Sequence, residues 1–284
     1  MDNSPVYHLS RSFPQLVLPI AMNEKNTPEY KKTVLRGEPV CRAPNFICSL
    51  DDKLETVETP VGKVEILYLV HREDFEHALR TLAYRCEPVE IPASVGASTI
   101  RGLINWEKIR AHKTEYLAKG GKNWGEEFKR FTAEKSNYLD TIILLSKGDY
   151  SAVPARLVGL TECEWDEKSL IIRKYHELTH FVCRTLYPHN IEPIRDEVIA
   201  DLIGLVAAFD HYDPLMAKRF LGIESGAFTE GGRLSHYANE ENLAAAIREA
   251  DNLIDQLAER VNRIENRPVF DLLKLIIREY MNEV

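Results

Sequence analysis

Apolar positions along the chain change their spacing several times, and each change predicts an element. Val64-Glu65-Ile66-Leu67-Tyr68-Leu69-Val70 is rich in β-branched and aromatic residues and reads as a strand. Over residues 72–85 the spacing turns helical through Phe75, Leu79 and Leu82. Thr141-Ile142-Ile143-Leu144-Leu145 is a second clear strand. Residues 14–20 read as a short buried or edge strand, and residues 152–160 as another, for which Pro154 makes a sheet edge one of two placements. Helices are expected at about 99–118 and 124–138, separated by Lys119-Gly120-Gly121-Lys122. A longer helix follows at about 166–186, ended by Pro188 and Asn190. Pro193 then opens another that runs to about residue 209. After a Gly-rich connection at 222–232, residues 241–263 carry Leu243, Ile247, Ile254, Leu257 and Val261 on one stripe, and 269–281 is apolar on one side. These last two helices read as packing elements or as a partner-binding stripe. The order predicts an α+β chain, with a mixed N-terminal region at 1–140 holding a small sheet and a mostly helical region at 141–284.

Composition narrows the class. With 284 residues, the chain can bury a substantial core as one large domain or two lobes. A 44% hydrophobic and 28% charged composition is that of a soluble globular protein. No run approaches the roughly 18 to 20 apolar residues of a membrane span, so no membrane partner is expected. Met1-Asp2-Asn3-Ser4-Pro5 lacks a basic segment followed by an apolar run, so no signal peptide is read. Five scattered cysteines (Cys41, Cys48, Cys86, Cys163 and Cys183) include no Cys-x-x-Cys pair, which fits reduced thiols in a cytoplasmic protein. A net charge of −8 without a basic stripe argues against nucleic acid as a partner.

The chemistry is concentrated in His176-Glu177-Leu178-Thr179-His180. On a helix, histidines four apart project from one face, so both imidazoles can grip one metal ion, and Glu177 can take a proton from water that the metal polarises. With His176 at zero, His180 lies at about 40°, while Ile171, Tyr175, Leu178, Val182 and Leu186 cluster at about 200° to 280°. The helix therefore buries one face and presents the histidines on another, the geometry of a site between two layers. A catalytic zinc site needs a third protein ligand and an open position. Glu192, Asp196, Glu197 and Asp201 all follow within reach. With Glu197 at zero, Asp201 lies at about 40°, beside the apolar set Ile194, Val198, Leu202, Leu205 and Phe209, and Asp196 at about −100°, away from it. Glu197 and Asp201 form a carboxylate pair at the edge of a buried face, which calls for a cation.

His-Glu-x-x-His followed by a helix bearing Glu-x-x-x-Asp resembles the gluzincins, the thermolysin-like zinc metallopeptidases, over about residues 171–209. The resemblance implies a zincin-like fold with the metal site between the two lobes. It implies Zn²⁺ held by His176, His180 and Glu197, with Asp201 orienting His176. It also implies peptide or protein substrates hydrolysed with Glu177 as general base. Three departures mark the chain as a divergent member. Sixteen residues separate His180 from Glu197, slightly fewer than is usual in these enzymes. Asp196-Glu197 stands where Asn-Glu is common. No Gly-x-Met-Glu-Asn segment precedes the motif, so aminopeptidase-type recognition is not supported. The third histidine of metzincins is absent.

An oxyanion donor is expected from His236 and Tyr237, which follow a Gly-rich segment suited to folding over a cleft, or from His211 or Tyr212. The strand at 152–160 is either an internal strand or an edge that pairs with extended peptide. The N-terminal region either sets specificity or covers the cleft. A catalytically silent metal-binding regulatory or interaction protein is the alternative, although metal binding alone does not require Glu177.

Overall fold

The computed structural model describes residues 4–40, 42–188, 192–229, 232–239, 241–264 and 267–280; Cys41, His189, Asn190 and Met281 lie outside them. Its elements divide between two compact units. One comprises Met1–Val57, Val64–Pro92 and Ser98–Ser146, the other Glu58–Lys63, Ala93–Ala97 and Lys147–Val284.

The first unit opens with α1 (Pro5–Ser12), whose N-cap Ser4 accepts from Tyr7 N. A 3₁₀ turn, Pro14–Val17, and the single turn α2 (Pro28–Tyr30) follow. Next come β1 (Lys53–Thr59), β2 (Gly62–Leu69), α3 (Arg72–Leu82), β3 (Ala97–Ile104), α4 (Trp106–Ala118), α5 (Trp124–Thr132) and β4 (Leu139–Ser146). The four strands form one sheet in the order β1-β2-β4-β3. The two strands legible as aliphatic runs are its parallel centre, with Ile66 opposite Ile143 and Leu67 opposite Leu144. Both are buried, as a central parallel pair must be, and α3 packs Phe75, Ala78 and Leu79 into this core.

Three expectations for this unit need correction. Residues 14–20 are no strand, because Pro14 fixes φ at the first position of a 3₁₀ turn. The helix expected from 99 begins only at Trp106, where Asn105 caps it by accepting from Lys108 N. Before it, the β-branched Thr99 and Ile100 extend as β3, and Gly102 at φ +74 would break a helix. The helix expected over 124–138 stops at Thr132.

The second unit is mostly helical. Residues 152–160 are not a strand. A 3₁₀ turn at Tyr150–Ala152 leads through Pro154 into the single turn α6 (Ala155–Val158), which Gly159 ends at φ +73. The substrate-pairing role expected for that strand falls with it. Then come α7 (Glu162–Leu186), α8 (Pro193–Phe209) and α9 (Pro214–Leu221). A two-stranded hairpin, β5 (Ile223–Glu224) and β6 (Ala227–Phe228), leads to a 3₁₀ turn at Arg233–His236. The chain closes with α10 (Leu243–Val261) and α11 (Val269–Tyr280). Helix α7 starts earlier than expected because Thr161 and Glu164 form a capping box. Pro193 does open α8, and Glu192 caps it by accepting from Ile194 N and Arg195 N.

Helix α8 is the axis of this unit. It packs against α7, α9, α10 and α11, and Asp196 through Leu205 are all buried. The approach of α7 to α8 is set at Gly204, where an added Cβ would lie 2.8 Å from the Ile172 carbonyl oxygen. Among the described residues, no helix is long and apolar enough to cross a membrane.

Candidate metal centre

The spacing of His176 and His180 puts both on the face of α7 that meets α8, and α8 answers with Asp196, Glu197 and Asp201. All five are buried, Asp201 to 1% exposure and His180 to 4%. Glu177, beside His176, is buried as well. Every one of these side chains belongs to the second unit.

His176 Nε2 and His180 Nε2 face one another at 2.9 Å. Glu197 turns one oxygen to each, 3.5 Å from His176 Nε2 and 3.3 Å from His180 Nε2. Among the described residues this is the group of His, Cys, Asp or Glu side chains whose ligand atoms converge closely enough to hold a metal. A tetrahedral divalent cation with bonds of about 2.0–2.1 Å separates its ligand atoms by about 3.3 Å; each Glu197 oxygen lies near that distance from one imidazole, and the two imidazoles stand closer together.

The outer nitrogens decide what the inner ones present. His176 Nδ1 lies 2.9 Å from Asp201 Oδ1, and His180 Nδ1 lies 2.8 Å from Asp196 Oδ2. A carboxylate oxygen only accepts, so in its neutral form each imidazole carries its hydrogen on Nδ1 and turns the lone pair of Nε2 inward. With both rings neutral, two imidazole lone pairs and a carboxylate converge on one point. That arrangement attracts a cation, a proton or a metal ion, and it is the donor set that zinc prefers.

Affinity for the smallest cation, the proton, shows the same field. Burial pulls the His180 pKa down, but Asp196 and Glu197 outweigh it and push the value up to about 10. His176 is likewise raised, with Asp201 and Glu197 overcoming burial and the neighbouring His180. Burial pushes Glu197 up, yet its contacts with the two imidazoles hold it well below the usual carboxylate range. For Asp201, burial is outweighed first by Arg233 and then by His176.

Of the expected oxyanion donors, Tyr237 reaches the cluster. Its phenol hydrogen-bonds Glu197, and burial and that carboxylate together raise its pKa. His236 is exposed and turned to Tyr237, with ring centroids 6.3 Å apart. His211 is exposed and bonded to the Phe209 carbonyl. Tyr212 is buried, and its hydroxyl has no hydrogen-bond partner among the described residues.

Three residues around the site were not anticipated in these roles. Asp196 was expected away from the buried stripe, yet it is buried, pairs with His180, and is held by Arg184 at 3.1 Å. Tyr150 and Arg233 arrive from 3₁₀ turns and meet at Asp201. Arg233 also lies 3.8 Å from Glu197.

Residues 1–274 match a protein family described as a family of unknown function, DUF7005. The chain belongs to that family. No curated protein and no solved structure matches it.

Proposed function

We propose that this chain is a zinc-dependent metallopeptidase of zincin-like type, with His176, His180 and Glu197 as the metal ligands. The observation that carries the reading is the convergence of three ligand side chains, two of them imidazoles whose outer nitrogens each face a carboxylate. Bound there, Zn²⁺ would lower the pKa of water and polarise a substrate carbonyl. Glu177 stands beside His176 on α7, and its carboxylate accepts the proton as water adds to the peptide carbonyl carbon. The same carboxyl group then passes that proton to the departing amide nitrogen, releasing a carboxylic acid and an amine. Tyr237 keeps its hydrogen, because burial and Glu197 oppose its ionisation, and that O–H, given to Glu197 in this structure, would turn to the developing oxyanion. Asp201 and Asp196 keep the two imidazoles in the tautomer that presents Nε2.

The test is a peptide-library cleavage screen on zinc-equilibrated protein, with Glu177→Gln as control. Cleavage by the parent chain that is lost in the variant supports the reading. A chain that takes up zinc but cleaves nothing favours the catalytically silent metal-binding protein instead.

A further inference from the structure

We propose that Tyr150 is a positioning residue of this centre, whose hydroxyl fixes the orientation and tautomer of His176. The inference rests on the metal-binding part of the proposed function and on no particular substrate. The Tyr150 hydroxyl lies 2.8 Å from His176 Nδ1 and 2.6 Å from Asp201 Oδ1, and Arg233 Nη1 reaches it at 2.9 Å. A phenol has one hydrogen to give and two lone pairs to offer. A guanidinium only donates, so Arg233 occupies one lone pair. A carboxylate only accepts, so the single hydrogen points to Asp201. The remaining lone pair faces His176 Nδ1, which must donate, its one hydrogen shared between this oxygen and Asp201 Oδ1. One oxygen thus satisfies three neighbours in only one arrangement, and that arrangement leaves His176 Nε2 bare toward His180 and Glu197.

The turn that supplies Tyr150 is itself held in an unfavourable backbone shape. Ser151 and Ala152 have φ of 51° and 56°, a left-handed conformation that residues with a side chain adopt only at a cost. Surrounding contacts maintain it. Tyr150 N donates to Ser169 Oγ at 3.0 Å, and Trp165 Nε1 donates to the Val153 carbonyl at 2.7 Å. The Tyr150 ring meets Phe220 edge-on at 4.8 Å, and Arg233 also donates to Ser151 Oγ at 2.9 Å. A tyrosine needed only to fill space requires neither the three-way hydroxyl nor the strained turn.

Tyr150→Phe keeps the ring and removes only the hydroxyl. Zinc affinity is measured by competition with a chromophoric chelator, and the visible spectrum of the Co²⁺-loaded protein reports ligand geometry. Expected is a loss of about 10- to 100-fold in zinc affinity with an altered Co²⁺ spectrum and a folded chain. Wild-type affinity and an unchanged spectrum in the folded variant overturn the assignment. A parent chain that binds neither ion overturns the metal reading itself, a distinct outcome. Should Tyr150→Phe not fold, Arg233→Met removes the other donor to the hydroxyl. Weaker zinc binding is expected there too, and undiminished binding overturns the proposal.

Discussion

In the first unit, the buried carboxylates of Asp52 and Asp74 accept hydrogen bonds from loop backbone. Asp52 takes Val70 N and Ser49 N at 2.9 and 2.7 Å, and Asp74 takes Ile47 N and Cys48 N at 2.8 and 2.9 Å. In the second unit, the buried ionisable groups of α7 and α8 answer one another. His176 meets Asp201, His180 meets Asp196, and both meet Glu197. The difference separates two uses of buried charge. A carboxylate that satisfies nearby N–H groups is explained by the loop it pins, since those donors would otherwise be buried unpaired. Two imidazoles and a carboxylate that converge on one point call for a shared positive charge there, a proton or a metal ion.

Substitutions can break this contrast from either side. The largest effect is expected at Glu177. Glu177→Gln should lower peptide cleavage by about 10²- to 10⁴-fold while zinc content stays at the parent level, as read by turnover and elemental analysis. In the other unit, Ile143→Ala empties a fully buried position in β4 and should cost about 2–5 kcal/mol in denaturant unfolding, yet leave zinc content unchanged. Parallel loss of zinc from that variant would blur the division drawn above. Gly204→Ala sits at the close approach of α7 and α8, and relieving the contact with Ile172 should cost about 1–3 kcal/mol. Unlike Ile143→Ala, it should also weaken zinc binding, because it displaces the two helices that carry the ligands. Asp196→Asn is the mildest change, keeping shape while removing charge beside His180. A loss of about 10-fold or somewhat more in zinc affinity is expected by chelator competition, with little change in stability without metal.

The sequence disclosed the core of the site better than its surroundings. Helical phase placed His176 with His180 and Glu197 with Asp201, and the structure brings these four together because α7 and α8 pack face to face. Asp196 was misread because one apolar stripe was taken to define one buried side. Helix α8 is enclosed by four others, so a polar residue off that stripe is buried too. Tyr150 and Arg233 carry no periodic signal, since they sit in 3₁₀ turns and reach the cluster only through the tertiary fold.

The same limit applies to the sheet. Its central strands β2 and β4 announce themselves as aliphatic runs, whereas β1 (Lys-Leu-Glu-Thr-Val-Glu-Thr) and β3 (with Gly102 inside it) lie at the edges and do not. Around Pro154 the β-branched and apolar residues suggested a strand, but proline removes the backbone donor a ladder needs, and the segment turned helical on either side.

Whether α7 and α8 hold a metal can be decided by elemental analysis of the purified chain after equilibration with zinc, alongside His180→Ala and Glu197→Ala. About one zinc per wild-type chain, absent from both variants, is the predicted result. A folded wild-type chain that remains metal-free would contradict it and leave the convergent lone pairs of His176 and His180 without their cation.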